Sequence, residues 1–162
     1  MELKGAKTIP APREAVWRLL NDVAILKASL KGCEELAWDG ENALRAVVMA
    51  KIGPVQARFK GKISLVDLAP PERYALIGEG QGGVSGFAKG RADVTLTETA
   101  GGTELTYAAK AIVGGKLAQL GQRLLDAAAR KMAEDFFAAF AEEARKHHAT
   151  QHADKAATVP AG

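Results

Sequence analysis

Few residues of this chain have the type and spacing that chemistry requires. Gly78, Gly80 and Gly83 match the spacing G-x-G-x-x-G, which lets backbone N–H groups approach a dinucleotide pyrophosphate. That motif needs a helix after its glycines, whereas the sequence from Phe87 onward alternates as a strand does. We therefore interpret the glycines as a flexible or bulged connection between strands, able to cover a cavity mouth, and not as a nucleotide site.

Histidine and cysteine offer little catalytic chemistry. The three histidines, His147, His148 and His152, are clustered near the carboxyl end without structured cysteine or carboxylate partners. This favours adventitious metal binding over a designed site, so we predict no metal centre. Because no histidine lies earlier in the chain, Ser/His/Asp and Cys/His catalytic arrangements are excluded. We expect the single cysteine, Cys33, to be a small packed hydrophobe and not a nucleophile.

One carboxylate, Asp135, is a candidate acid. On a helical wheel it falls within the apolar arc of the segment 115–146. Facing an apolar cavity would raise its pKa, as general acid catalysis requires. The alternative is a carboxylate that is solvated or ion-paired at the rim of the helix.

The composition of the whole chain limits its class. It has 162 residues, 48% of them apolar and 25% charged, and a net charge of +3, as expected for one globular domain. No run approaches the roughly 18 apolar residues that span a bilayer, and the first ten residues lack the apolar core of a secretory signal. A single cysteine cannot form an internal disulfide, which fits a reducing compartment. We predict one domain at residues 1–149, a disordered polar tail at 150–162 and a cytoplasmic location.

The elements that must position these residues are organised around one long helix. Residues 115–146 have apolar side chains at helical spacing, over an arc too wide for a coiled-coil seam. A curved sheet is therefore the expected partner. Gly121 would lie inside this helix, where either a neighbouring sheet residue or a ligand approaches the backbone closely.

The preceding sequence predicts a strand, two short helices and then several strands. Residues 2–9 form the first strand, and the prolines at positions 10 and 12 end it before the helices. From Cys33 onward the period changes to two, with turn residues between the runs. The prediction is an α+β domain with an antiparallel meander of six or seven strands and a long terminal helix.

Four stretches of the sequence together resemble the CoxG family, named for the G subunit of carbon monoxide dehydrogenase. They are Val55–Lys62, Gly78–Gly83, Gly86–Gly90 and Gly114–Gly121. The resemblance extends from Met1 to about residue 140 and implies the helix-grip fold of the START-like, Bet v 1-like (SRPBCC) superfamily. In that fold a curved sheet wraps around the terminal helix and often leaves a cavity. Two features depart from the family: Lys31 stands where proline is frequent, and the carboxy-terminal membrane segment of some members is lacking.

The resemblance also implies a function. The family is associated with recruiting a molybdenum-containing carbon monoxide dehydrogenase to the membrane and with handling a hydrophobic, quinone-like molecule. We therefore expect a non-enzymatic accessory protein without a tightly bound cofactor, carrying a quinone or lipid, with peripheral contact to the inner face of the cytoplasmic membrane. The alternative is a START-like cyclase or hydrolase that acts on an apolar small molecule, since fold alone does not fix function.

Ten residues are expected to line the cavity that the resemblance implies. Sheet residues would oppose the helix, Gly121 would give room beside its backbone, and aromatic side chains would close the ends. The ten are Trp17, Phe59, Ile63, Phe87, Leu117, Leu120, Gly121, Leu124, Ala128 and Phe136. The alternative is a closed core that the same side chains simply fill.

A second set of residues is expected to form a basic docking surface for the membrane or the enzyme. Arg58, Lys60 and Lys62 recur at period two, and further cations lie on neighbouring strands. The full set is Lys51, Arg58, Lys60, Lys62, Lys89, Arg91 and Lys110. The alternative is a solvated outer sheet face. Nucleic acid is not expected as a partner, because few aromatic residues are interleaved with these cations.

Overall fold

One antiparallel sheet and one long helix dominate the structure. The structure, a computed structural model, describes the backbone of residues 1–158 and the side chains of residues 1–147. The elements in chain order are β1 Glu2–Ile9, α1 Arg13–Leu20, α2 Val23–Ser29, β2 Cys33–Trp38, β3 Ala43–Ile52, β4 Val55–Ala69, β5 Arg73–Gln81, β6 Phe87–Thr99, β7 Gly102–Gly114 and α3 Gln122–Thr158. Two 3-10 helices, Gly83–Ser85 and Gly115–Leu120, precede β6 and α3.

The seven strands lie in the order β1-β7-β6-β5-β4-β3-β2. Apart from the crossover that places β1 beside β7, each strand pairs with its neighbour in sequence. The sheet is curved and holds α3 against one face, while α1 and α2 pack beside that helix. The predicted α+β class and the helix-grip fold are confirmed.

The main core lies at one end of the sheet. There α1 and the middle of α3 pack onto large inward side chains, and Phe140 is fully buried at the centre. Trp17 meets Tyr74 edge to face at 5.3 Å between ring centroids, and Phe137 stacks on Tyr107 at 4.8 Å. Such aromatic pairs add stability beyond the area that they bury.

The amino end of the long helix differs from the prediction. Residues Gly115–Leu120 form a 3-10 helix, and α3 begins only at Gln122. Between them Gly121 has a φ of +89°, a conformation that favours glycine, and a Cβ there would meet no atom within 4 Å. The prediction that Gly121 lies inside a helix and makes room beside its backbone is therefore wrong, because this glycine turns the chain between two helical segments.

The carboxyl end of α3 also extends beyond the predicted segment. The helix continues to Thr158 and so overlaps the tail that was predicted at residues 150–162. Residues 159–162 lie outside the described residues, as do the side chains of His148 and His152. The described histidine, His147, lies 3.9 Å from Glu143 between Nε2 and Oε2, one helical turn away.

Candidate ligand-binding site

The inward face of the sheet changes from large to small side chains along each central strand. In β5, Tyr74 and Leu76 pack against the core, whereas Gly78 and Gly80 follow on the same face. In β6, Val94 gives way to Ala92, Gly90 and Ala88, and in β7 Leu105 and Tyr107 give way to Ala109 and Ala111. The far half of the sheet therefore presents little side-chain volume on its inner face.

The strand register brings these small residues together. Ile63, Gly78, Gly90 and Ala111 lie side by side across β4, β5, β6 and β7. The next inward row begins with Gly61 and Gly80, which are direct partners. Gly78 and Gly80 thus belong to a regular strand, and the prediction of a flexible or bulged connection at these two positions is wrong.

The result is an apolar hollow of about 400 Å³ on the inner face of the sheet. Its largest apolar side chains are Phe59, Ile63 and Leu76, and glycine and alanine supply most of the remaining wall. The volume falls within the range of small-molecule sites, about 300–1,000 Å³, and a mostly apolar wall is typical of such sites.

A larger groove lies beside it, between the end of β3 and α3. Its volume is about 760 Å³, and Ile52, Leu124, Ala128 and Met132 contribute apolar wall. Val48 lines the hollow and Ala50 lines the groove. Since these are successive inward positions of β3, both spaces lie on the same face of the sheet.

The candidate acid Asp135 lies at this groove but is ion-paired. Its Oδ2 accepts a hydrogen bond of 3.1 Å from Lys131 Nζ, one helical turn earlier. The side chain of Asp135 is 43% exposed. The structure therefore matches the ion-paired alternative at the helix rim and does not place this carboxylate in an apolar cavity.

The predicted ligand residues are divided among several environments. Phe59 and Ile63 line the hollow, whereas Leu124 and Ala128 line the groove. Trp17 and Phe136 pack against the main core at the other end. The structure does not bring these ten residues into a single pocket, because no described α3 residue lines the hollow that contains Phe59 and Ile63.

Three other predicted residues lie near the two 3-10 helices. Leu117 is buried and Leu120 is half-buried in the second of them. Phe87 is two residues before Lys89 and therefore lies on the same, outer face of β6, where it pairs with Gly114. Phe87 therefore does not close an end of the inner hollow. The glycines and alanines that do form its wall were missed, although small residues at period two in neighbouring strands carried the signal.

The predicted basic surface lies on the outer face of the sheet, and three of its seven cations, Arg58, Arg91 and Lys110, are ion-paired. Arg58 donates two hydrogen bonds to Glu34, of 2.6 and 3.2 Å, and these lower the pKa of that carboxylate. Arg91 pairs with Asp67 at 2.7 Å and with Asp93 at 3.1 Å. Carboxylates on neighbouring strands thus offset the charge of these two arginines.

The remaining predicted cations have mixed surroundings. Lys110 lies 3.5 Å from Glu2, and Glu79 is the direct cross-strand neighbour of both Lys62 and Lys89. Among the described side chains, Lys51, Lys60, Lys62 and Lys89 form no ion pair within 4 Å. Of the seven predicted docking residues, Lys51 alone lines the groove.

Cys33 is a half-buried thiol. Burial raises its pKa, and its Sγ donates a hydrogen bond to the carbonyl oxygen of Glu35 at 3.4 Å. The thiol is therefore protonated at neutral pH and is a poor nucleophile.

The fold is shared with solved structures from several bacteria. A conserved protein from Geobacillus kaustophilus is 34% identical over 91% of this chain and 97% of its own, with a TM-score of 0.85. The Zhui aromatase/cyclase from Streptomyces sp. R1128 is 13% identical, with coverages of 90% and 94% and a TM-score of 0.67. A protein from Thermus thermophilus is 18% identical, with coverages of 91% and 99% and a TM-score of 0.69. The last two show likeness of fold alone.

Two further findings bear on classification. No curated protein matches the chain, and none of the helices within residues 1–158 has an apolar stretch long enough to cross a membrane. The family model for the G subunit of carbon monoxide dehydrogenase (CoxG) matches residues 5–145. Because this match covers most of the sequence and the fold agrees with it, the chain belongs to the CoxG family.

Proposed function

We propose that this chain is a non-enzymatic accessory protein that binds an elongated apolar molecule, such as a quinone or a related isoprenoid. The observation that carries the proposal is the half of the sheet where Gly78, Gly90 and Ala111 lie in one row on its inner face. These residues leave a hollow of about 400 Å³ next to a groove of about 760 Å³. An isoprenoid tail could occupy the first and a ring the second.

The energetics of such a site suit an apolar ligand. Burying each CH₂ group contributes roughly 0.8 kcal/mol without any directional bond, so few polar groups are required. The hollow has mostly glycine, alanine and aliphatic walls, whereas Lys51 and Lys131 lie at the groove. Their ammonium groups could donate hydrogen bonds to the carbonyl oxygens of a quinone ring.

Family membership supports the rest of the proposal. The family takes its name from a subunit of carbon monoxide dehydrogenase. This supports an accessory role for the chain with an enzyme of that type. We propose that the partner is a molybdenum-containing carbon monoxide dehydrogenase and that the chain brings this enzyme and its apolar ligand to the membrane.

The cyclase or hydrolase alternative has less support. Its candidate acid, Asp135, is held in an ion pair with Lys131. The similarity to the Zhui aromatase/cyclase is limited to the fold, at 13% identity. If Asp135→Asn abolished turnover of an offered substrate while ligand binding was kept, the enzyme interpretation would replace ours.

Organic extraction of the purified protein, followed by mass spectrometry and an ultraviolet spectrum, tests the carrier proposal. We expect an isoprenoid quinone or a similar apolar molecule from the unmodified protein. Gly78→Leu should reduce its amount about tenfold or more, because the new side chain fills the hollow. A Cβ at Gly78 would meet Ile63 Cγ1 at 3.9 Å, an ordinary contact, so the fold should accept the change.

Gly101→Leu is the matched control. Gly101 lies in the exposed turn between β6 and β7, and a Cβ there would meet nothing within 4 Å. This variant should keep the full amount of ligand. If no apolar molecule is extracted from the unmodified protein, or if Gly78→Leu retains as much as Gly101→Leu, the carrier proposal is wrong.

A further inference from the structure

Three segments meet at the end of the sheet where the hollow and the groove lie. The turn between β3 and β4 touches the start of α3, since a Cβ on Gly53 would approach Leu124 Cδ2 to 2.9 Å. The two 3-10 helices also lie against each other, since a Cβ on Gly86 would lie 3.2 Å from the Cα of Gly115. We call residues 51–55, 82–86 and 115–124 the mouth surface.

The mouth surface borders both candidate ligand spaces. Lys51, Gly53 and Leu124 line the groove. Phe59 lines the hollow, and a Cβ on Gly82 would contact its ring. An apolar molecule that leaves either space at this end would therefore pass the mouth surface first.

The most exposed large apolar side chain described in this protein lies on the mouth surface. Val84, in the middle of the first 3-10 helix, is 82% exposed. It stands on a glycine-rich segment, where Gly83 and Gly86 both have positive φ. Leu124, across the mouth, is 37% exposed. Exposed apolar side chains at a protruding turn are suited to insertion between lipid headgroups.

The charged side chains of the mouth surface itself are all cations. The first carboxylate of α3, Asp126, follows it and accepts a hydrogen bond of 2.6 Å from Gln122. Lys51, Lys116 and Arg123 are all exposed, and none of them forms an ion pair within 4 Å among the described side chains. The sequence contains no aspartate or glutamate within residues 43–66, 80–92 or 105–125. The carboxylates that pair with cations of the outer sheet face, including Glu34 and Asp93, lie outside these segments.

We propose that the mouth surface docks onto an anionic lipid bilayer, with Val84 inserted and the surrounding cations at the headgroups. This inference rests on the proposed carrier function, since it gives the apolar ligand a path into the bilayer that avoids water. It also replaces the outer sheet face as the membrane contact. On that face Arg58, Arg91 and Lys110 are held by carboxylates that an anionic bilayer would repel, and these carboxylates lie among Lys60, Lys62 and Lys89, which form no ion pair within 4 Å among the described side chains.

Co-sedimentation with lipid vesicles tests the proposal. The full chain should bind vesicles of mixed phosphatidylcholine and phosphatidylglycerol at low ionic strength, and bind phosphatidylcholine alone much more weakly. The double variant Lys116→Glu, Arg123→Glu should lose at least about tenfold in affinity, since each cation near an anionic bilayer contributes roughly fivefold. Val84→Asp should weaken binding as well, and added salt should weaken that of the unmodified chain.

The double variant Lys62→Glu, Lys89→Glu is the matched control. It makes the same change in net charge, but on the outer sheet face. We expect its vesicle binding to stay within about twofold of that of the unmodified protein, since only the screened long-range attraction changes. If this control loses binding while the mouth variants keep it, or if no variant differs from the unmodified protein, the proposal is overturned.

Two further measurements separate the possible failures. Extraction of the mouth variants should still yield the apolar ligand, so loss of vesicle binding with retained ligand supports the docking inference. A protein that carries ligand but does not bind anionic vesicles would overturn the docking inference and leave the carrier proposal standing. If the mouth variants lose binding only to a carbon monoxide dehydrogenase holoenzyme, the surface belongs to a protein contact and the bilayer proposal is wrong.

Discussion

The two ends of the same sheet differ in the side chains on their inner face. At one end Tyr74 and Val94, neighbours on β5 and β6, pack against Phe140 in a continuous core. At the other end Gly78 and Gly90, neighbours on the same two strands, border the hollow. The antiparallel register runs through both without interruption between these strands.

Backbone hydrogen bonding and side-chain packing are independent in this sheet. Backbone hydrogen bonding is shared by both ends, so the sheet itself does not determine which end packs and which stays open. Side-chain volume determines which end is packed. The backbone is the same at both positions, but Tyr74 fills the space on its side of the sheet, whereas Gly78, four residues later, has no side chain to do so. A sheet can therefore give stability at one end and binding capacity at the other.

Truncating one phenylalanine at each end tests this separation and should give the largest effect. Phe140→Ala removes a fully buried ring from the core and should lower the free energy of unfolding by about 3–5 kcal/mol. Phe59→Ala removes a half-buried ring from the wall of the hollow and should cost about 1–2 kcal/mol. Urea unfolding followed by circular dichroism measures both.

Ligand extraction completes this comparison. Phe59→Ala should change the amount of bound apolar molecule, whereas folded Phe140→Ala protein should retain it. Equal losses of stability in the two variants would show that both ends are packed alike, and the distinction between core and hollow would then be wrong.

The sequence predicted the elements well because their signals are local. The prolines after residue 9 and the change to period two located β1 at residues 2–9 and the start of β2 at Cys33, as in the structure, where Asp22 caps α2 through its side chain. The start of α3 was not predicted, because the apolar spacing of Leu117 and Leu120 continues that of the helix. Only the positive φ of Gly121 separates the two segments.

The candidate site was harder to predict because it depends on contacts between distant strands. Gly78, Gly90 and Ala111 are far apart in sequence and become one row only through the register of three strands. The same holds for the outer face, where Asp67 neutralises Arg91 from 24 residues away. A basic residue pattern on one strand therefore overestimated the charge of the assembled surface.

Valine in place of either of two glycines of the hollow, Gly61 or Gly80, tests whether the space beside them is open. A Cβ on Gly80 would meet Phe59 Cβ at 3.9 Å, an ordinary contact, whereas one on Gly61 would approach the carbonyl oxygen of Glu79 to 2.9 Å. Gly61→Val should therefore cost about 1–3 kcal/mol through overpacking. Gly80→Val should leave stability unchanged or raise it by about 0.5–1 kcal/mol, because valine suits a strand better than glycine does.

Both valines should reduce ligand content, since both reach into the hollow. Thermal unfolding and extraction, performed on the two variants and the unmodified protein, give the two readouts. A strongly destabilised Gly80→Val protein would mean that the space beside β5 is already filled, contrary to the open end that the comparison describes.

The smallest effect at neutral pH is expected at the packed end, from Tyr74→Phe. Burial raises the pKa of the Tyr74 phenol above its ordinary value of about 10. The folded protein therefore holds this proton more tightly than the unfolded chain, so the resulting stability is fully present below pH 10 and is lost as the pH rises further. The slope from this one group is about 1.4 kcal/mol per pH unit until the folded phenol itself ionises.

Phenylalanine has no proton to lose, so Tyr74→Phe should unfold less readily than the unmodified protein above about pH 10. Urea unfolding of the two proteins from pH 7 to pH 11 measures this, because the difference between them cancels the titration of the lysines, which both share. Tyr107→Phe serves as a comparison, since Tyr107 is only partly buried where it stacks on Phe137. If the unmodified protein and Tyr74→Phe show the same dependence on alkaline pH, Tyr74 is reached by water and the end that holds Phe140 is not the dry core described above.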